Sequence, residues 1–573
     1  MGRDQQTRTA GSRRLTIFTE EERFALYSLP DFDDFQRAEF FAYTGAELAL
    51  ADRRRGPVDR LHCLLQLGYF KAKHAFFDLV TEMVPAEDIA FLAERFFPDL
   101  PATSVGLQRL RRRERDAQRA GIARLFGFRL WSEADRHALV KTAAELAKRD
   151  VTPSFIGLEL LAVLKERQIV RPGYTTLQSV IGAALAAERE RLGHLVQNGL
   201  SAQTVMVLRN LLAREATLSE LAALKRDARN FGHKMMTAER RKRTTLVPLY
   251  QVAKALLPMF GISQQNIERY ADLALFYTIY DLRRMRPAQA HLYLLCYAWQ
   301  RFLQLSDNLV EAFNHHLSRL ESETKGNSVT TFFQAQAKRQ QEAPQVGRVL
   351  LLYVDEAVDD TTPFGVVRKQ AFAILPREAL LSAGQRLCQE HVSQMDLRWN
   401  EIDRAAPRFK KNLRPLVMDL DISANSPTNP WRTALSWMRE IFARQQSIGQ
   451  QPVADIPAGT IPKALHRHLF MLDETGSPAR LRGDRYEFWI YRQLGKRLAT
   501  GELAVNDSLR HRRFGDELVP PEKTAAILQA LTIPWVAKPA GARIDALCAA
   551  LDQQWEICVS SGVEYQAAIG VQK

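Results

Sequence analysis

Cysteine is scarce: the chain has five in 573 residues, and Cys63, Cys296, Cys388, Cys548 and Cys558 are scattered along it. None stands at zinc-ligand spacing from another cysteine or a histidine, so neither a disulfide framework nor a zinc module is expected. Glycine (29) and proline (25) are also few, below a usual joint share of about 12%, and that deficit favours helix. Long apolar runs are missing. The longest, such as residues 349–354, fall far short of the roughly 20 residues that cross a bilayer, so no membrane partner is expected. Residues 1–14 are polar and basic with no apolar stretch after them, unlike a secretory signal; the expected address is the cytoplasm, with residues 1–12 as an unstructured arm. The chain has no Walker loop, no GxSxG, no HExxH and no GxGxxG opening a helix, which removes the commonest nucleotide, hydrolase and dinucleotide sites.

What is present reads as an ordinary globular chain, 46% hydrophobic and 25% charged, long enough for three or four domains of about 150 residues. Helix signals recur. Thr19-x-x-Glu22, Ser132-x-x-Asp135 and Thr217-x-x-Glu220 are capping boxes, in which a hydroxyl and a carboxylate satisfy two orphan amides at a helix start. Thr152-Pro153 predicts a cap and a first-turn proline, and Arg171-Pro172-Gly173 the end of that element. Pro287 predicts the start of a long helix through Leu292, Leu295, Trp299, Phe302, Leu309 and Phe313. Strands alternating with helices are absent, as is any NG or DG turn between alternating runs. The fold class expected is therefore mainly α: a multi-domain array of helical modules, including helix-turn-helix-like DNA-binding units, without a βαβ sheet. Breakers suggest boundaries at Asp99-Leu100-Pro101, Asp150-Val151-Thr152-Pro153 and Gly326-Asn327, with loops over 423–430 and 450–462.

The charge is lopsided and local. Lys and Arg number 79 against 65 acids, a net +14, which points to a polyanionic partner, nucleic acid before membrane. Residues 105–129 carry eight arginines, among them Arg109, Arg111, Arg112, Arg113, Arg115 and Arg119, against Glu114 and Asp116. Residues 225–243 carry Lys225, Arg226, Arg229, Lys234, Arg240, Arg241, Lys242 and Arg243 against Asp227 and Glu239. Residues 404–414 carry five cations, including Lys410 and Lys411, and no acid; residues 480–513 carry nine, ending in Arg512 and Arg513, against four acids. The rest of the chain is net negative. A further basic turn, Arg53-Arg54-Arg55-Gly56 with Arg60, precedes an apolar helix carrying Leu61, Leu64, Leu65 and Leu67. Any one island can be a solvated helix face, and the turn can pair with Asp52 and Asp59. Several together favour DNA or RNA, because each neutralised phosphate releases condensed counterions. Residues 103–148 add a weak helix-turn-helix pattern.

An apolar run leads into Asp355-Glu356 and then Asp359-Asp360, the way a strand presents a carboxylate in a two-metal nuclease. The i, i+3, i+4, i+7 spacing of Val346, Val349, Leu350 and Tyr353 favours a helix instead. His315-His316 and His466-x-His468 do not share a helix face and read as structural. No catalytic residue, metal ligand or cofactor is assigned. Two alternatives stay open: an autonomous metal-dependent nuclease or transferase using Asp355, Glu356, Asp359 or Asp360, and an RNA-binding helical scaffold.

Several collinear segments resemble the Tn3 family of replicative transposases. They are residues 40–69, with the basic turn followed by R-L-x-x-x-L-Q-L-G-Y; Arg171-Pro-Gly-Tyr-Thr-Thr-Leu177; Gly261-Ile-Ser to Asn266 and Tyr270; residues 277–284; Leu292-Tyr-Leu-Leu-Cys-Tyr297; and Asp307-Asn-Leu309. Pro363-Phe-Gly365, Ala371-Phe372, Leu375-Pro376, Tyr486-Glu-Phe-Trp-Ile-Tyr491, Gly501-Glu502 and Leu518-Val-Pro520 continue the series, which fades after Trp535. The resemblance implies binding of double-stranded DNA at transposon terminal inverted repeats, in a bacterial cytoplasm beside the nucleoid. It implies a homodimer, or a heterodimer with full-length transposase. The family's RNase H-like domain, with its carboxylate triad and Mg²⁺, would follow about where this chain stops at Lys573, so the expectation is a non-catalytic N-terminal portion that can inhibit the complete enzyme. The segments expected are DNA-binding modules over 1–100, 101–150 and 151–260, a long-helix dimerisation region over 261–345, and a helical linker or scaffold over 346–573.

Overall fold

Helix caps written into the sequence set the first elements. A computed structural model of the protein describes residues 15–98, 106–213, 220–388, 393–519, 521–524, 541–553 and 555; the arm over 1–12, the break at Asp99-Leu100-Pro101 and the Thr217 capping box lie outside them. Thr19 accepts from the Glu22 amide at 3.1 Å while Glu22 accepts from the Thr19 amide at 2.9 Å, starting the helix Glu20–Tyr27. Ser132 and Asp135 do the same for Glu133–Arg149. Pro153 opens Pro153–Glu166 as expected, but the Thr152 hydroxyl makes no cap; its amide bonds Asp150 at 2.7 Å instead. Arg171-Pro172-Gly173 was expected to close that helix and does not: the helix has already ended at Glu166, and Gly173 caps the next, Tyr174–Gly199.

Packing divides the chain into two units, residues 1–229 with 241–302, and residues 230–240 with 303–573. Two of the three divisions, after Arg240 and after Phe302, fall inside the helices His233–Leu256 and Pro287–Leu351. In the first unit, one core gathers Phe41, Leu61, Leu64, Tyr69 and Phe70 with Ile122 and Ala123 of the helix Arg112–Leu125. A second gathers Ile17 and Phe18 with Leu139 and Ala143 of Glu133–Arg149, Ile156, Leu160, Leu177 and Ala184. The two helices joined in the sequence reading as a helix-turn-helix thus bury their apolar faces in different cores. Gly127, at φ +74°, supplies the left-handed residue in the turn between them.

Pro287 opens a helix of 65 residues that ends at Leu351. It runs through Gly326-Asn327, where a boundary was expected. A mid-helix glycine costs about 1 kcal/mol, and packing outweighs it here: Thr324 and Ser328 are buried, and their hydroxyls bond Leu320 O and Lys325 O, each at 2.8 Å. The helical reading of residues 346–353 holds as far as Leu351.

The second unit packs the helices Gln394–Asn412, Pro430–Ala443 and Gly483–Ala499 around Phe409, Tyr486, Phe488 and Tyr491. Two short antiparallel strand pairs accompany them, Ile422–Ala424 with Leu503–Val505 and Phe470–Leu472 with Pro478–Leu481. The architecture is mainly α, as expected. The second pair turns through Asp473, whose carboxylate accepts the amides of Thr475 and Ser477 at 2.9 and 2.8 Å, with Gly476 at φ +77°. An NG or DG search does not detect such a turn.

Backbones also come very close at Gly449 and Gly483, where a Cβ on Gly483 would stand 2.6 Å from the Gly449 nitrogen. Gly483→Ala is expected to cost about 1–3 kcal/mol through overpacking. Gly347→Ala, on the long helix with open space around it, should instead gain up to about 1 kcal/mol. Thermal unfolding of both variants checks this, and a loss at both positions would contradict it.

Candidate nucleic-acid interface

In the islands over 404–414 and 480–513 most of the positive charge is already engaged. Lys410 pairs with Asp484 at 2.5 Å, Arg408 with Glu323 at 2.9 Å and Arg404 with Glu401. Arg414 holds the buried Glu487 through two bonds of 2.6 and 2.9 Å, and Tyr491 donates to the same carboxylate at 2.7 Å. Arg485 bonds Asp403, Arg492 bonds Glu321, and Arg510 bonds Glu311. Arg513 donates to Ser423 at 3.2 Å, while Arg512 and Lys411 are exposed. These two islands hold helices and strands together.

The island over 225–243 is mixed. The Lys225 amine donates to Leu275 O and Tyr277 O at 3.3 and 2.8 Å, closing the end of the helix Gln264–Phe276, and burial lowers its pKa. Lys242 donates to Arg226 O at 2.6 Å, Arg243 lies 4.4 Å over the Phe302 ring, and Arg240 pairs with Asp419. The side chains of Arg226, Arg229, Lys234 and Arg241 are exposed.

The remaining two basic segments meet in the first unit. A Cβ on Gly121, in the basic helix Arg112–Leu125, would stand 3.1 Å from Leu50 of the helix Gly45–Asp52. Arg54 and Gln118 both neighbour Cys63 on the helix Pro57–Lys73. The Arg53–Arg55 turn therefore stands beside the basic helix. Part of this charge is internal. Arg60 pairs with Asp52 and lies 5.5 Å over the Phe97 ring. Asp78 is a hub: Arg109 bonds it, Arg119 lies at 3.3 Å and Arg115 at 4.0 Å, and the Arg109 guanidinium first among them holds its carboxyl below the usual range. Arg112 is 3.8 Å from Asp116. Exposed, and with no acid within ion-pairing distance among the described residues, are Arg53, Arg55, Arg111, Arg113 and Arg124. At 100° per residue Arg113 and Arg124 fall within about 20° of one another, along roughly 16 Å of helix. Duplex DNA presents one phosphate charge per about 1.7 Å of axis, so that length corresponds to several phosphates.

Asp78 was not singled out from sequence. The signal was there, an acid inside the apolar run Ala75-Phe76-Phe77-Asp78-Leu79-Val80, where a carboxylate needs a cationic partner. The residues that carry the family resemblance serve the fold instead. Tyr69 donates to the buried Asp88 at 2.7 Å, Arg171 to Leu26 O at 2.7 Å, and Asn266 caps Glu133–Arg149 by donating to Ala147 O and Lys148 O at 2.9 and 3.0 Å. Asp307 accepts from Ser508 and from the Leu509 amide. Asp355, Glu356, Asp359 and Asp360 lie in an exposed turn, where Asp355 and Asp359 accept from the Ala357 and Thr361 amides at 3.0 and 3.3 Å. Among the described residues no three His, Cys, Asp or Glu side chains gather to hold a metal, and this turn lends the nuclease reading no geometry.

A family model described as a domain of unknown function (DUF4158) matches residues 17–184. The buried residues of the two N-terminal cores run over the same span, from Ile17 to Ala184. The chain is 22% identical over 540 residues to the transposase for transposon Tn21 of Escherichia coli. It is 24% identical over 547 residues to that for Tn501 of Pseudomonas aeruginosa, and 21% over 533 residues to that for Tn3926 of Escherichia coli. The alignments take in 91% or 92% of this chain and 51% of each relative, so the chain spans about half the length of the relatives it matches. The expected likeness to transposases is borne out over about half of their length.

Arg129 is engaged by Asp135 at 2.5 Å, and this bond, with Ser132, brings the Asp135 pKa down to about 2. A depressed carboxylate stabilises the fold above its unfolded pKa, about 3.9, and the contribution disappears as pH falls through the folded value. Asp135→Asn should therefore unfold at lower temperature at neutral pH, with the gap from the parent narrowing between about pH 4 and pH 2. A gap that stays constant over that range would contradict the assignment.

Proposed function

We propose that this chain, similar to about half of three transposases, binds double-stranded DNA at transposon terminal inverted repeats and serves DNA transposition as the end-binding portion of a transposase. The observation that supports it is the meeting of the Arg53–Arg55 turn with the Arg112–Leu125 helix on the N-terminal unit, together with the exposure of Arg53, Arg55, Arg111, Arg113 and Arg124. The same reading takes in dimerisation, with a second copy or with a full-length transposase, and a place in the bacterial cytoplasm at the nucleoid. It assigns this chain end recognition and no bond-breaking step. Arginines on phosphates fix position and register, and sequence is read by other groups at the base edges.

The exposed and the engaged cations are expected to behave differently. Arg113→Ala with Arg124→Ala should weaken binding to a terminal-repeat duplex and flatten the slope of log K against log salt by about 0.9 for each phosphate contact removed. Lys225→Ala should leave that slope unchanged and lower the thermal midpoint, since it uncaps Leu275 and Tyr277. Fluorescence anisotropy across a salt series separates the two. Equal slopes for the double variant and the parent would overturn the assignment of this surface, and equal affinity for a random duplex or an RNA duplex would overturn the end-binding role.

A further inference from the structure

Of the large apolar side chains left in water among the described residues, Phe276 is the most exposed, at 80%. It ends the helix Gln264–Phe276, and Tyr280, 66% exposed, follows in the helix Ile279–Arg284. The base of this projection is fixed. Tyr277 meets the Phe276 ring edge-on with centroids 5.5 Å apart, and stacks at 6.4 Å on Tyr293, which is buried. The Lys225 amine donates to the carbonyls on either side of Phe276, those of Leu275 and Tyr277. That bond seats the loop after the helix Glu220–Leu224 against the end of Gln264–Phe276. Arg301 pins the loop in turn, donating to Leu224 O at 3.2 Å and Arg226 O at 2.9 Å, and Lys242 donates to Arg226 O at 2.6 Å.

The charge at this corner is one-sided. Lys225 and Lys242 reach carbonyls, which are neutral acceptors and do not cancel a cation as a carboxylate does. The side chains of Arg226, Arg229 and Arg284 are exposed, and the Arg284 guanidinium lies 5.5 Å from the Tyr280 ring centroid. Two of the neighbouring acids are engaged: Asp227 pairs with Arg301 at 2.8 Å, and Asp281 accepts the Thr278 amide at 3.2 Å. Asp272, one turn before Phe276, is exposed, a single acid against three arginines.

We propose that this corner is a second contact with the bound duplex, in which Phe276 enters a groove as an apolar wedge between base pairs while Arg226, Arg229 and Arg284 meet the flanking phosphates. This rests on the DNA-binding reading above and deepens it. Unstacking a base step is costly, and the cost is offset by burial of the inserted ring and by the further contacts that a bent duplex offers. A ring that is rooted on a buried neighbour and still largely in water suits that use. A protein partner would have to supply acids matched to three arginines, whereas a duplex carries phosphates along its whole length.

The test uses the full chain and a terminal-repeat duplex labelled at both ends for resonance energy transfer. The parent should bend the duplex by about 20–90°. Phe276→Ala, at an exposed position outside the core, should leave the bound duplex straight while keeping the parent's salt slope. Phe276→Leu, which keeps an apolar wedge, should keep the bend. Arg226→Ala with Arg229→Ala should instead flatten the salt slope by about 0.9 for each phosphate contact removed. A duplex that binds the parent and stays straight overturns the proposal, as does a Phe276→Ala variant that bends it as the parent does. Loss of a dimer in Phe276→Ala, read by sedimentation with bending unchanged, would assign the face to a second copy and overturn it too. A parent that binds no duplex at all would overturn the DNA-binding reading itself, so the two failures are distinguishable.

Discussion

A helix that carries Arg112, Arg113, Arg115, Arg119 and Arg124 repels itself and has little apolar surface with which to hold on. Its attachment depends on Ile122 and Ala123, fully buried in the core built by Leu61, Leu64 and Phe70, and on Gly121, whose missing side chain admits Leu50. Asp78 relieves the repulsion on the side facing Phe76 by taking three guanidiniums at once. With those anchors in place the remaining arginines need no internal partner. The rest of the candidate surface, including its junction with the Arg53–Arg55 turn, follows from that one attachment.

The same residue type therefore has two uses. In the islands over 404–414 and 480–513 most arginines are structural ties: Arg414 reaches a buried glutamate, Arg485 an aspartate on a neighbouring helix, and Arg480 the backbone carbonyl of Gly449. Removing one partner there would leave a desolvated charge behind, which is costly. In the N-terminal unit the exposed arginines sit in water, where pairing is weak and salt-sensitive, so they remain available to a polyanion. A count of positive charge cannot separate the two uses, because both raise the net charge equally. Position relative to carboxylates separates them.

Much of the helical fold was legible. The capping boxes at Thr19 and Ser132, the first-turn Pro153 and the start at Pro287 are local signals, and local hydrogen bonds decide them. What escaped was decided at a distance. Gly326-Asn327 breaks no helix because buried neighbours support it. The strand Ile422–Ala424 exists only through pairing with Leu503–Val505, far along the chain. The basic surface was half legible: the islands stood out, but which arginines answer to Asp78, Asp52 or Glu487 depends on tertiary contacts. Lys225 looked like its neighbours and proved to be a helix cap. Asp78, the hub, was passed over because a single acid in an apolar stretch has no periodicity to mark it.

The central claim is that DNA is held where the Arg53–Arg55 turn and the basic helix meet. Hydrogen–deuterium exchange of the full chain, with and without a saturating terminal-repeat duplex, tests it most directly. The account predicts that DNA slows exchange over residues 53–60 and 111–125 while the arginine-rich segments of the second unit, 404–414 and 480–513, change little. Protection confined to those second-unit segments, with residues 53–60 and 111–125 unchanged, would contradict it.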